Sequence, residues 1–361
     1  VSASYQFERH LCSPADLRPK PAPDETLVFG RTRTDHMVVC DYDSGKGGWQ
    51  TPRIEKTHSF EFHPDSLVFH YGQQIFEGLK AFRHATDPKK VLLFRPDRNA
   101  SRFVRSAELM GMQPVPTQLF MESVQELVNI ERDWIDPFPR ALYIRPTLIP
   151  LDEGVSVRAS SAWRYFVILS PVQEYFARTD GVLVAVERER VRACPGGVGE
   201  AKCGGNYAAS MSSLARAKSM GADQVLWLDA IERKYVEEVG AMNVMFVYRD
   251  KVVTPALSGS ILRGVTRESL IRLAMDRGLA VSEERITIEQ VLADARAGLM
   301  TECFLCGTAA VVTPVRAFLD KGEIVELRKD TFGQVSMTLR KELVSIQTGA
   351  IADTRGWVVT L

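Results

Sequence analysis

The chain is predicted to be an α+β protein of two domains, and three observations carry that prediction. Its 361 residues are what two domains, or one large one, occupy. Strand-like and helix-like stretches are mixed without the regular rhythm of βαβ units. A polar, turn-bearing break, Pro171-Val-Gln-Glu-Tyr-Phe-Ala-Arg-Thr-Asp-Gly181, separates a small N-terminal domain, residues 1–170, from a large C-terminal one, residues 182–361. A functional site is expected in the cleft between them.

The elements are read in order. Leu27–Phe29 and Met37–Cys40 are short apolar runs parted by Gly30 and polar residues, which fits a strand pair, and Ser66–His70 is a further strand candidate. Asn99–Met110 and Gln118–Glu131 place apolar residues at helical spacing, and Ala141–Ile149 and Tyr165–Leu169 return to strand character. Beyond the break, Val182–Val191 passes from an apolar run to alternation and is read as a strand. Asn206–Met220 reads as a helix ended by Gly221, and Gln224–Leu228 and Asn243–Tyr248 as strands. Ile286–Val291 opens a helix, with Thr287 as cap, Gln290 closing a capping box and Ile286 stapled to Val291. Phe332–Ile346 makes the final helix.

Composition bounds the function. Hydrophobic residues make up 45% and charged residues 25% of the chain, as in an ordinary globular protein. Lys plus Arg equals Asp plus Glu at 45 each, so nothing points to nucleic acid or an anionic membrane as partner. No apolar run approaches a membrane span, and Val1–Asp16 lacks a basic segment followed by an apolar core, so neither a membrane protein nor a secretory signal is expected. Six cysteines in so long a chain are expected to be reduced thiols of a cytoplasmic protein. Cys303-x-x-Cys306 lacks the second ligand pair that a zinc site requires, so no metal is expected, and both are read as buried thiols in a strand and its following loop.

The most informative stretch is Pro195-Gly-Gly-Val-Gly-Glu-Ala-Lys-Cys-Gly-Gly-Asn-Tyr207, where Lys202 stands between glycine pairs. Glycines let backbone approach a bulky ligand closely. An ammonium held in a walled site loses solvation and becomes a neutral nucleophile toward carbonyls, the requirement for a Schiff-base lysine. A phosphate-cradling P-loop fails because Ala201 and Cys203 flank the lysine where Gly and Ser or Thr belong. A dinucleotide G-x-G-x-x-G fails because Lys202 stands in place of the third glycine. A Gly-rich surface loop with a solvated lysine is the bland alternative.

Further segments weigh against that alternative: Tyr71-Gly-Gln-Gln-Ile-Phe-Glu-Gly-Leu-Lys-Ala-Phe82, Phe94-Arg-Pro-Asp-Arg-Asn-Ala-Ser-Arg102, Tyr143-Ile-Arg-Pro146, Glu237-Glu-Val-Gly-Ala-Met-Asn243, Leu262-Arg-Gly-Val-Thr-Arg267 and Cys306-Gly-Thr-Ala-Ala310. In this order and spacing the chain, from about Phe29 to the C-terminal helix, resembles the branched-chain amino acid aminotransferases. These are pyridoxal-phosphate enzymes of the class IV (D-amino acid aminotransferase-like) fold.

The resemblance implies a role for each matched residue. Lys202 would anchor pyridoxal 5′-phosphate and shuttle the proton at the substrate Cα. Glu238 would pair with the pyridine nitrogen and keep it protonated, while Glu237, pointing the other way along the strand, fits a surface carboxylate. Tyr207 would hydrogen-bond the 3′-oxygen. Arg102 would bind the phosphate through its guanidinium fork, joined by Gly264, Val265 and Thr266 at the start of a helix over Arg267–Met275, and by the Thr308 hydroxyl. Phe29, Tyr71, Phe76, Tyr143 and Tyr175 match the apolar pocket wall, and Arg145 would receive a glutamate side-chain carboxylate. The substrate α-carboxylate is expected at the Gly240–Ala241 turn and at Thr308–Ala309.

The loop Leu151–Val157, with Val155 and Val157 at its tips, resembles a segment that completes a partner subunit's pocket, implying a homodimer. Some positions depart from the family. Ala241 replaces a hydroxyl residue found in many relatives, Arg263 stands where Pro often precedes the phosphate glycine, and Ala310 and Thr313 occupy the places of a redox CxxC in the animal enzymes. The implied activity is transfer of the amino group between leucine, isoleucine or valine and 2-oxoglutarate by a ping-pong route. A D-amino acid transaminase or an aminodeoxychorismate lyase of the same fold is the alternative, and a non-catalytic cofactor-binding protein the alternative of another class.

Overall fold

A computed structural model describes residues 4–173, 180–249, 251–327, 329 and 333–361. The chain forms two compact units, one comprising Val1–Tyr175, Ala201–Gly204 and Ser345–Leu361, the other Phe176–Glu200 and Gly205–Val344. Each carries one mixed sheet, in keeping with the α+β class.

The sheet of the first unit runs in the order Glu8–His10, Arg53–Lys56, His36–Asp43, Ala162–Val172, Ala141–Pro150, Leu79–Arg83, Val91–Phe94 and Val358–Thr360, with Ile75–Phe76 set beside Ala141–Pro150. Helices Pro96–Leu109 and Thr117–Ile130 cover it. Phe103 and Phe120, from the apolar stripe of each helix, meet Tyr165 of the sheet at ring separations of 5.9 and 6.4 Å. Burying each such ring stabilises the unit by about 1.5–3 kcal/mol.

The second sheet runs Val236–Val239, Gln224–Leu228, Val182–Val186, Val311–Asp320, Met300–Gly307, Asn243–Tyr248, Lys251–Pro255 and Ala280–Glu284. Val182 and Val184 pack into one apolar cluster while Leu183 and Ala185 pack into another. A strand buried on both faces reads as an unbroken apolar run, which is why Val-Leu-Val-Ala-Val was legible.

Several expectations need correction. Leu27–Phe29 is not a strand. Arg140 donates to the carbonyls of Ala22 (2.8 Å) and Glu25 (2.6 Å), and Arg31 N–H closes a turn on Val28, with Gly30 at a φ of 71°. Ser66–His70 is a single 3₁₀ turn, with Phe69 N–H donating to Ser66 O at 3.0 Å. The strand from Val182 stops at Val186, because the Glu187 carboxylate accepts from the N–H groups of Glu189 and Arg190 and turns the chain.

The expected helix Asn206–Met220 is two helices, Gly204–Ala208 and Met211–Ser219. Thr287 caps its helix by accepting from Gln290 N–H, but Gln290 donates its own amide to Asp294 rather than closing the box. Pro171 and Val172 belong to the strand Ala162–Val172 rather than to a linker. The C-terminal strand Val358–Thr360 pairs with Val91–Phe94, so the tail joins the first unit and not the second.

Candidate active site

Lys202 lies in the first unit, on a short rung laid along Gln74–Phe76. Its carbonyl accepts from Phe76 N–H and its own N–H donates to Ser106 Oγ, each at 3.0 Å. Cys203 bridges to Ile75, and Gly204 N–H donates to Gln74 O at 3.4 Å. The lysine Nζ stands 5.0 Å from the centroid of the Phe76 ring, a cation–π contact.

Beside it, Glu77 is fully buried and holds Arg102 in a two-point grip, Nε to Oε1 at 2.6 Å and Nη2 to Oε2 at 2.9 Å. Asn99 Nδ2 adds a bond to Oε2 at 2.8 Å. Burial alone would raise the Glu77 carboxyl. The charge and hydrogen bonds of Arg102, the charge of Lys202 and the Asn99 amide outweigh it and hold the group below the usual carboxylate range. Asn99, Arg102 and Ser106 lie along one face of the helix Pro96–Leu109, so that single helix supplies partners to both Glu77 and Lys202. Glu77, Asn99 and Ser106 were missed in the sequence, though the first two stood inside quoted motifs. Two polar residues at helical spacing on the apolar side of that helix were the available signal.

Tyr143 and Arg145 alternate along the strand Ala141–Pro150 and share one face. Arg145 Nη2 donates to Tyr143 Oη at 3.1 Å, and its guanidinium carbon lies 4.5 Å from the Phe76 ring and 5.2 Å from the Tyr143 ring. Arg145 Nε is buried and finds no hydrogen-bond partner among the described residues. Phe29 meets Tyr143 edge-on at 4.8 Å. A Cβ on Gly78 would fall 2.0 Å from the Tyr143 hydroxyl, which explains the glycine of Phe-Glu-Gly.

Phe29, Phe76, Tyr143, Arg145 and Lys202 are thus linked through the Phe76 and Tyr143 rings. Tyr71 is engaged differently, donating its hydroxyl to Val155 O. Val155 and Val157 are 69% and 84% exposed, apolar tips that nothing in this chain covers among the described residues. Tyr175 lies outside the described residues.

In the second unit Glu238 is buried on the edge strand Val236–Val239. Its Oε1 accepts from Leu262 N–H at 2.5 Å, and Oε2 lies 3.3 Å from Arg192 Nε. Arg192, a second residue the sequence reading passed over, also donates to Gly199 O at 3.2 Å and to Ser260 O. Glu237 is the correction here, because it is buried rather than on the surface and accepts from the hydroxyls of Ser258 and Ser260. Burial pushes its carboxyl up, against the opposing pull of those hydroxyls and of Arg192. An edge strand can be wrapped on both faces by the following chain, so alternation does not put either glutamate in water.

Gly264 is the N-cap of a helix that starts at Val265 and runs to Asp276, two residues earlier than expected, so Val265 and Thr266 lie in its first turn. A Cβ on Gly264 would meet Asn243 Oδ1 at 2.0 Å, and Asn243 Nδ2 donates to Leu262 O at 3.1 Å. First-turn N–H groups and the helix dipole make this end suited to an anion.

The hairpin turn at Gly240 and Ala241 and the turn at Thr308–Ala309 lie at the same end of the sheet, because Asn243 pairs with Cys306 across two antiparallel strands. Beyond the latter turn, Val311 adopts a φ of 59°, a strained conformation for a β-branched residue. Tyr207 sits half-buried on the short helix Gly204–Ala208, which Asn206 ties to Val198 O at 2.8 Å. Cys303 and Cys306 both lie within the strand Met300–Gly307 as free, buried thiols. Three residues apart, they point to opposite faces, and burial raises both, Cys306 to about 12.

The family model for amino-transferase class IV matches residues 74–318, which include the lysine rung, the Glu77–Arg102 pair, the Glu238 strand and the helix at Gly264. The chain belongs to the class IV aminotransferases. It is 47% identical over 94% of its length, and 95% of the relative's, to branched-chain-amino-acid transaminase 1 of Bacillus subtilis. Among solved structures it is similar to the branched-chain aminotransferase of Thermoproteus uzoniensis with norvaline. The identity there is 25%, the TM-score 0.74, and the match covers 90% of this chain and 99% of the other. A second similar structure is the T.th. branched-chain amino acid aminotransferase complexed with N-(5′-phosphopyridoxyl)-L-glutamate, at 27% identity and a TM-score of 0.70, covering 91% of this chain and 99% of that one. Among the described residues of this class IV chain, no helix is long and apolar enough to cross a membrane.

Proposed function

We propose that this chain transfers amino groups between branched-chain L-amino acids and 2-oxoglutarate, using pyridoxal 5′-phosphate held by Lys202. The observation that carries the reading is the lysine itself, with its backbone pinned on both sides, its amine over the Phe76 ring, and its charge in the field of buried Glu77.

The residues fit the cofactor. Lys202 supplies the amine. Glu238, flanked by Arg192, supplies a buried carboxylate for the ring nitrogen, and Tyr207 a hydroxyl for the ring oxygen. Arg102, Gly264, Val265, Thr266 and Thr308 supply guanidinium, first-turn N–H groups and a hydroxyl for the phosphate, and a Cβ at Gly264 would strike Asn243, so only glycine fits at this N-cap. The names of the similar proteins, and the phosphopyridoxyl-glutamate in one of them, support both cofactor and substrate class.

When bound, pyridoxal 5′-phosphate supplies an aldehyde that accepts the amino group and a cationic ring that draws electrons from the bond being broken. Lys202 Nζ moves the proton to and from the substrate Cα, which requires the amine to be neutral at that moment. Glu238 holds a proton on the ring nitrogen. Phe29, Phe76, Tyr143 and Tyr71 exclude water around an apolar side chain. Arg145, whose buried Nε is left without a partner among the described residues, receives the second carboxylate of glutamate. The substrate α-carboxylate takes the backbone donors around Ala241 and Ala309. Val155 and Val157 fit a contribution to the partner's site in a homodimer, and the free cysteines suit a cytoplasmic location.

An absorbance spectrum before and after L-leucine tests the proposal. The visible band should shift to shorter wavelength with L-leucine and return with 2-oxoglutarate. Lys202→Ala should abolish both band and turnover in a chain that remains folded. A band that responds only to a D-amino acid would overturn the substrate reading, and appreciable turnover by Lys202→Ala would overturn the role of the lysine.

A further inference from the structure

Glu237 has no part in the mechanism above, yet it is 3% exposed and embedded in a polar network. Ser258 Oγ donates to its Oε1 at 3.1 Å, Ser260 Oγ donates to the same oxygen, and the two hydroxyls lie 2.7 Å apart. Its neighbour Glu238 accepts from Leu262 N–H at 2.5 Å. Two adjacent carboxylates of the edge strand Val236–Val239 therefore grip the two ends of one short segment, 258–262, from opposite faces of the strand.

The backbone carbonyls of that segment are held as well, in its middle and at its far end. Ser260 O accepts from Arg192, and Leu262 O accepts from Asn243. Gly264 follows two residues later and opens the helix Val265–Asp276. Ordering of 258–262 thus sets where the first N–H groups of that helix stand. A buried carboxylate is costly unless hydrogen bonds offset its lost water, and here those bonds hold a loop that has no strand ladder of its own.

We infer that Glu237 is a positioning residue which, through Ser258 and Ser260, fixes the turn before the helix Val265–Asp276 and thereby its grip on a phosphate group. The inference rests on the reading that this helix start binds the cofactor phosphate. Glu238 orients the ring and Glu237 orients the phosphate turn, so the pair couples two anchors of one ligand through a single strand.

The test separates phosphate binding from ring binding. The full chain, freed of cofactor, is titrated with pyridoxal 5′-phosphate and, separately, with pyridoxal, which lacks the phosphate, and bound chromophore is read by absorbance. Glu237→Ala should weaken pyridoxal 5′-phosphate about tenfold, the size of the two lost hydrogen bonds together, and leave pyridoxal within about twofold. Glu237→Gln, whose amide oxygen still accepts from both hydroxyls, should keep most of the affinity. The double substitution Ser258→Ala with Ser260→Ala should reproduce the loss, and it carries the test if Glu237→Ala does not fold. Equal weakening of both ligands, or unchanged affinity for pyridoxal 5′-phosphate, would overturn the inference alone. A wild-type chain that binds neither ligand, or prefers neither, would overturn the cofactor-phosphate reading and the inference with it.

Discussion

Replacing Glu77 with alanine should destabilise the protein by about 3–5 kcal/mol, the cost of removing one partner of a buried ion pair. Glu77 has no exposed surface, and the Arg102 side chain is only 9% exposed. Removing the carboxylate therefore takes two hydrogen bonds from the Arg102 guanidinium and one from the Asn99 amide. The same interactions have a pH signature. The folded carboxyl is held below the ordinary range, so as pH falls the unfolded chain takes up this proton first. The stabilisation is complete above the ordinary carboxylate range and disappears as pH drops through the folded value. Urea unfolding followed by tryptophan fluorescence, at pH 7 and in steps down to about pH 3, reads both effects. Wild type should lose stability over that interval more steeply than Glu77→Ala, with Glu77→Gln intermediate at pH 7 and flat like the alanine variant in acid. A loss below about 1 kcal/mol at pH 7, or an acid slope identical to wild type, would show that the pair adds no net stability and would refute the argument.

Arg145→Met should reduce kcat/KM for glutamate by about ten- to a hundredfold, the range for losing a charge-assisted contact, and change leucine by only a few-fold; steady-state kinetics with each donor decides. An equal loss on both donors would remove Arg145 from substrate selection. Val311→Gly should stabilise the second unit by about 1 kcal/mol, since glycine takes a φ of 59° without the β-branched clash; thermal unfolding measures it, and a lower Tm would mean that packing of the valine outweighs its strain.

The sequence by itself determined the parts whose physics is local. Val182–Val186 is buried on both faces and so reads as one apolar run. Phe103 and Ala107 repeat at the period of a helix. The glycines around Lys202 left a surface loop open as an alternative, and it was the order of the motifs around it that identified the family.

Tertiary structure decided what depends on distant partners. Leu27–Phe29 has strand composition but surrenders nearby carbonyls to Arg140, more than a hundred residues on. Glu237 and Glu77 are each a charge that single-sequence reasoning leaves in water, and each is buried because Ser258 and Ser260, or Arg102 and Asn99, come from another element to meet it. The rung carrying Lys202 joins the first unit because Phe76 and Ser106 bond its backbone, though its neighbours in sequence lie in the second. Whether a polar group is compensated for its lost water is a property of the assembled surroundings, and no local pattern records it.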